Sequence, residues 1–209
     1  MTERFAGIDV GERHLHCALL DADSRIVGCT TVEAGDSRAL VSWCGAAQVV
    51  AIDAPEAPST TPHAQCAELA PKFRAARCAE IELGRSHGSW VSWVAPAGPP
   101  FPAWMEAGFA AYHTLDHAEL LEVYPYAAFR ELAGGRPPPK KRTTIGRWER
   151  VRLLSRAGIR GDALAAPPSH DRLDALVAAL VALERFYGRG QRVTCGHDNS
   201  AIWLPGSLA

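Results

Sequence analysis

The residues best placed to do chemistry sit in four short acidic motifs spread along nearly the whole chain. These are Gly7-Ile8-Asp9-Val10-Gly11, Ala51-Ile52-Asp53-Ala54-Pro55, Glu122-Val123-Tyr124-Pro125 and Asp171-Arg172-Leu173-Asp174-Ala175. In three of them the acid sits at the end of an apolar run that reads as a buried strand. In the fourth, two acids stand three apart at the start of a helix and therefore share one face. A carboxylate at the tip of a buried strand is costly unless positive charge sits beside it. Several such acids brought together make a site for a hard divalent cation such as Mg²⁺ or Mn²⁺. The chemistry expected is metal-dependent hydrolysis of a phosphodiester.

Other side chains join the candidate set. His170, beside the last acidic pair, suits a ligand or a proton carrier. Between Lys140 and Arg160 eight basic residues stand against one acid, Glu149. Such a cluster can neutralise phosphates and steer a polyanion, and Lys140, Lys141, Arg142 and Arg150 are the candidates for holding flanking phosphates. The same segment also reads as a solvated helix face plus a basic loop. Trp90, Trp93 and Trp104 could stack on unpaired bases, although packing is the simpler reading of them. Asp9 and Asp53 as strand-ending turns, Asp171 as a favourable charge at a helix N-terminus and Glu122 as the partner of a buried arginine are the plain structural alternatives.

The elements that must position these groups follow from pattern. Arg4 to Val10, His14 to Leu20 and Ile26 to Val32 are apolar runs separated by turn signals, which predicts an antiparallel meander. Ser37 to Cys44 reads as a short helix with Asp36 as N-cap and Gly45 as stop. Gln48 to Ile52 is an unbroken apolar strand, as expected for one covered on both faces. Pro62 to Leu83 contains helical segments broken at Pro71. His87 to Pro102 reads as a long loop, Ala103 to His117 as helix and Leu120 to Tyr124 as strand. Ser169 to Tyr187 carries the widest apolar stripe, from Leu173 to Leu183. Arg192 to Thr194 and Ala201 to Leu204 could close the chain as a small hairpin.

The resulting order is β-β-β-α-β-α-β-α, an α/β class with a mixed five-stranded sheet flanked by helices, three antiparallel strands preceding the parallel ones. Right-handed crossovers would bring the C-terminal ends of the parallel strands to one edge. Asp9 and Asp53 should meet there, with Glu122 near the start of its strand and further back. The chain of 209 residues suits one domain over 1–209, with an irregular helical insertion around 56–117.

Bulk properties narrow the class further. Apolar content of 47% and charged content of 22% are those of a soluble globular protein. A net charge of −1 speaks against a protein that coats nucleic acid over its whole surface. No signal peptide is apparent and no apolar run approaches a membrane span, so a cytoplasmic location is expected. Six cysteines, at 17, 29, 44, 66, 78 and 195, show no regular spacing and read as reduced thiols. Cys195-Gly196-His197 offers two zinc ligands without a second pair of suitable spacing. The sequence says nothing of oligomeric state.

Taken in order, Gly7 to Gly11, Ala51 to Pro55, Arg77-Cys78-Ala79-Glu80, Glu122 to Pro125 and His170 to Leu180 resemble the family known as domain of unknown function 429. That family is held to be ribonuclease-H-like nucleases. The resemblance runs from about Arg4 to Leu204. It implies a ribonuclease-H-like fold with Asp9, Asp53, Asp171 and Asp174 as the metal-binding set for one or two Mg²⁺ or Mn²⁺ ions; Glu122 and His170 join the expected catalytic set from the reading of the residues themselves. In a two-metal site Asp9 would bridge ions roughly 3.5–4 Å apart. Lys141, Gly146 and Arg150 match a basic pattern of the family. The last helix is similar to the closing motif of Holliday-junction resolvases, which usually carry glutamate where this chain has Asp53. DNA or RNA is the implied partner. Two rival readings share the same residues: a non-catalytic nucleic-acid-binding or regulatory module, and an actin-like nucleotide phosphate-binding enzyme. The latter needs two such domains around a cleft, for which 209 residues leave no room.

Overall fold

The computed structural model describes residues 3–115, 118–166 and 168–206. Strands β1 (Arg4–Val10), β2 (His14–Asp21) and β3 (Ile26–Glu33) form the expected meander. Helix α1 (Ser37–Cys44) begins at Asp36, whose side chain accepts from Ala39 N at 2.9 Å. It leads to β4 (Val49–Asp53), which lies parallel to β1. Between 56 and 115 there are helices and loops only: α2 (Pro71–Arg74), α3 (Cys78–His87) and α4 (Ala103–Thr114). The expected continuation of α4 to His117 falls on residues outside the described ones. Strand β5 (Glu119–Val123) runs parallel to β4, and α5 (Pro125–Leu132), α6 (Thr144–Arg156) and α7 (His170–Phe186) follow.

The sheet has seven strands rather than five. The closing hairpin of β6 (Gln191–Val193) and β7 (Ile202–Leu204) does not stand apart, because β7 pairs in parallel with β5 and extends the edge. The full order is β3-β2-β1-β4-β5-β7-β6.

Strand alternation sorts the side chains between two helical layers. Phe5, Val49, Ala51, Leu121 and Val123 face a core shared with α5, α6 and α7. Ala6, Ile8, Val50 and Ile52 face the other core, shared with α1 and α4. By the same period-2 rule Gly7, Asp9 and Asp53 lie on the α7 side, whereas Glu122, whose register partner is Ile52, lies on the opposite side. Glu122 also stands next to last in β5, so its expected place near the start of the strand is corrected: β5 begins at Glu119, and the turn into α5 comes directly after Val123.

Helix α7 is buried along its length from Leu173 to Leu183, with four alanines among those residues. It approaches β1 so closely that a Cβ on Gly7 would lie 2.1 Å from Ala175 O and 2.2 Å from Ala179 N. Only glycine permits that approach, and the approach brings the start of α7 over the end of β1. Among the described residues no helix is long and apolar enough to cross a membrane.

Candidate functional site

Asp9 and Asp53 are register partners at the C-terminal ends of two adjacent parallel strands. Asp174, one turn into α7, arrives from above because Gly7 lets the helix sit down on β1. Asp9 is 7% and Asp174 only 2% exposed, which places both among the few buried charged side chains. Burial first, then Asp174, pushes Asp9 up to about 7. Burial also lifts Asp53 well above the usual carboxylate range, with Asp9 and Asp174 adding to it, and Asp53 hydrogen-bonds to Asp9. Asp174 is raised as well, again by burial, although Lys141 works against the shift. Three oxyacids thus share a volume that cannot hold three full negative charges without a compensating cation.

Part of that compensation is Lys141. Its Nζ lies 2.6 Å from Asp174 Oδ2. Burial opposes its charge, but Asp174, Asp9 and Asp53 outweigh this and hold the ammonium above the ordinary lysine value. The loop that presents it rests on α6, where a Cβ on Gly146 would come within 2.1 Å of Lys140 O. Arg150 is 3% exposed and donates from Nη1 to Pro139 O and to Gly146 O. It clamps the Lys140–Lys141 loop and stacks 5.1 Å over Phe129. Lys140 and Arg142 stand on the rim of the cavity described below.

Asp171 takes a second position beside the cluster. Its Oδ1 stands 2.5 Å from His170 Nδ1, close in distance but not aligned as a hydrogen bond. Its Oδ2 is 3.9 Å from His16 Nε2. Asp9, Asp171 and His16 offer ligand atoms all within 4.8 Å of one another. His16 stands outside the four acidic motifs. It is the antiparallel register partner of Asp9 and shares the α7 face of the sheet, and the alternation His14-Leu15-His16-Cys17 was the signal that could have found it. Burial lowers its pKa despite the nearby Asp171. His16 Nδ1 lies 3.1 Å from Thr31 Oγ1.

Glu122 is not brought into this cluster. Its carboxylate receives Arg77 Nη1 and Nη2 at 2.6 Å each and Glu56 N at 3.0 Å. Arg77 also donates to Glu80 Oε1 at 3.0 Å, and all three side chains are buried. Period-2 alternation is the reason: Glu122 leaves the sheet on the side opposite Asp9. A cavity of about 730 Å³ nevertheless opens beyond the strand ends and touches both groups, with Asp53, Asp174 and Lys141 at one end and Arg77, Glu80 and Glu122 at the other. Its walls include Trp93, Trp104, Tyr124 and Tyr126. Trp90 instead packs on Phe73, with ring centroids 4.5 Å apart.

The donor set fits a hard divalent cation. It is all oxygen apart from His16, it lies at the carboxyl ends of parallel strands, and its charge is only partly offset by one lysine.

An antiparallel β1-β2-β3 meander, followed by β4 and β5 parallel to β1 and α7 laid across them, is the ribonuclease-H-like fold expected from the sequence. Residues 109–200 match the family model described as protein of unknown function (DUF429), the family that the motifs resemble. The matched stretch takes in Glu122, Lys141, Asp171 and Asp174, while Asp9 and Asp53 precede it. Two solved structures of Thermus thermophilus RuvC, one in complex with a Holliday junction substrate, share 16% identity with the chain at a TM-score of 0.44. They cover 90% and 89% of this chain and 95% of their own. Likeness at that level carries neither residues nor a reaction across. No curated protein sequence matches.

Proposed function

We propose that the protein is a metal-dependent nuclease that hydrolyses phosphodiester bonds of a nucleic acid at the Asp9–Asp53–Asp174 cluster. The single observation that carries this reading is the convergence of those three acids, two of them almost fully buried, with one lysine as the neighbouring cation. Asp9, Asp53 and Asp174, with Asp171 at the side, would hold Mg²⁺ or Mn²⁺. Bound there, such an ion supplies Lewis acidity to a phosphoryl oxygen and lowers the pKa of a coordinated water.

The chain's own groups have definite tasks in this reading. Lys141 neutralises Asp174 through its 2.6 Å contact, and at the cavity wall its ammonium would also face a bound phosphate. Lys140 and Arg142 on the rim hold neighbouring phosphates, contributing affinity with little sequence information. His16 pairs through Nδ1 with Thr31 and turns Nε2 toward Asp171, while burial holds its pKa below the ordinary imidazole value, so that it suits a proton carrier there. The aromatic walls suit an unpaired base rather than a small aliphatic phosphoester.

A non-catalytic binding module is the second reading, favoured by the closed Lys141–Asp174 pair, which already satisfies one acid. A cleavage screen separates the two. Labelled single-stranded, duplex and four-way-junction DNA and single-stranded RNA are incubated with Mg²⁺ or Mn²⁺, using wild type and Asp9→Asn. Cleavage that requires metal and disappears in the variant supports the nuclease. Metal-independent binding of nucleic acid with no cleavage of any substrate establishes the binding module.

A further inference from the structure

A second cluster of metal-ligating side chains lies away from the acids, where three distant segments meet. Cys78 opens α3, His63 belongs to the loop after β4, and Cys195 and His197 lie between β6 and β7. We propose that Cys78, Cys195, His63 and His197 bind one zinc ion in the reduced protein and so pin the start of α3 to the closing hairpin.

Three of the four proposed ligands already cluster, and the fourth, the exposed His197, stands beside His63. Sγ of Cys78, Sγ of Cys195 and a ring nitrogen of His63 all lie within 4.8 Å of one another. His63 Nε2 is 3.4 Å from Cys195 Sγ. The His197 ring stands 5.8 Å from that of His63, edge-on. The backbone also serves the sulfur: His197 N donates to Cys78 Sγ at 3.1 Å, and Cys78 N donates to Asp198 Oδ2 at 3.1 Å. Two thiolates and two imidazoles are a preferred tetrahedral set for zinc. Sequence spacing concealed it, since Cys195-x-His197 finds its second pair 117 and 132 residues away.

In the structure Cys78 and Cys195 are joined as a disulfide with Cα atoms 5.0 Å apart, which corrects the expectation of six unpaired thiols. A disulfide uses two of the four donors, with His63 Nε2 still beside Cys195 Sγ. The chain is synthesised with thiols. As zinc binds, two Zn–S and two Zn–N bonds form, each thiol gives up one proton, and no electron is transferred. The disulfide is the same pair two electrons and two protons poorer, and a dithiol reductant returns it by exchange, becoming a disulfide itself. The two states exclude each other. Either state anchors Cys78, which follows Arg77, the partner of Glu122 at the far end of the cavity.

The experiment uses the full chain purified under a reducing agent without chelator. Elemental analysis is expected to find one zinc per chain, and exchange for Co²⁺ to give an intense thiolate-to-cobalt charge-transfer band, which an all-oxygen site cannot produce. Asp9→Asn should keep that band, and Cys195→Ser should lose it. Thiol counting after reduction that finds both cysteines free, together with neither zinc nor a cobalt–thiolate band in wild type, would overturn the proposal. So would persistence of the disulfide in protein taken directly from a reducing cytosol. Both readings come from wild type, so a variant that fails to fold leaves the conclusion intact.

Discussion

Single residues in the acid cluster trade stability for readiness. Asp9 is nine-tenths enclosed and pushed up to about 7 because its charge is poorly accommodated. Replacing it by asparagine removes that charge and keeps its shape. In the presence of a chelator at pH 8, Asp9→Asn is therefore expected to be more stable than wild type by about 0.5–2 kcal/mol, as is common at functional sites. Added Mn²⁺ should raise the wild-type unfolding temperature by mass action and leave the variant unmoved. Lys141 tests the same balance from the other side. Its ammonium competes with a divalent ion for Asp174, so Lys141→Met should tighten Mn²⁺ binding severalfold in calorimetric titration while weakening nucleic-acid binding in a filter assay. Loss of both would mean that Lys141 only organises the loop. Glu122→Ala should behave differently from either. It strands a buried arginine beside Glu80 alone, which costs about 3–5 kcal/mol when a buried pair is broken, yet the Mn²⁺ midpoint of the folded variant should not move, because Glu122 leaves the sheet on the other face.

At the scale of elements, one glycine decides whether α7 and β1 can meet. Gly7→Ala puts a methyl group against Ala175 O and Ala179 N, both backbone atoms that cannot rotate away. Overpacking of this kind costs about 3 kcal/mol or more, a fall of roughly 6–12 °C in unfolding temperature for a chain of this size. If Gly7→Ala unfolds like wild type, the close approach of α7 is not what places Asp174. The same elements explain what the sequence disclosed. Asp9 and Asp53 were legible because each ends an apolar run, and an apolar run on both faces of a sheet is a local pattern. Helix α7 was legible from its stripe and from Ser169, which accepts from Arg172 N as an N-cap. His16, the Arg77–Glu122 pair and the Lys141–Asp174 pair were harder, since each depends on a register or an approach between residues far apart in the chain. Strands β6 and β7 have three residues each, too few for a period to declare that they join the sheet. The family match from 109 to 200 and the resemblance of the earlier motifs agree with this architecture without supplying those contacts.

For the molecule as a whole, the acid cluster should write itself into the pH dependence of folding. Asp9 moves from an unfolded value of 3.8 to about 7 in the folded protein. Between those limits the native state keeps a proton that the unfolded chain has released. Stability drawn from this group is thus complete below about pH 4, declines as pH rises toward 7 and is flat above, with a slope approaching 1.4 kcal/mol per pH unit for one proton. His16 works in the opposite sense, because its folded pKa lies below its ordinary value, and stability linked to it grows as pH rises through the unfolded histidine range. Comparing wild type with Asp9→Asn removes the histidine contribution, which both proteins share. In urea titrations at pH 5, 6, 7 and 8 with chelator present, the variant should gain on wild type across the interval and stop gaining near pH 7. Saturating Mn²⁺ should reverse the wild-type trend, since an ion that binds the carboxylates must displace their protons and does so more readily as pH rises. Parallel curves for the two proteins in chelator would mean that Asp9 is solvated and ordinary. The acids would then be unable to drive cation binding through relief of their own repulsion.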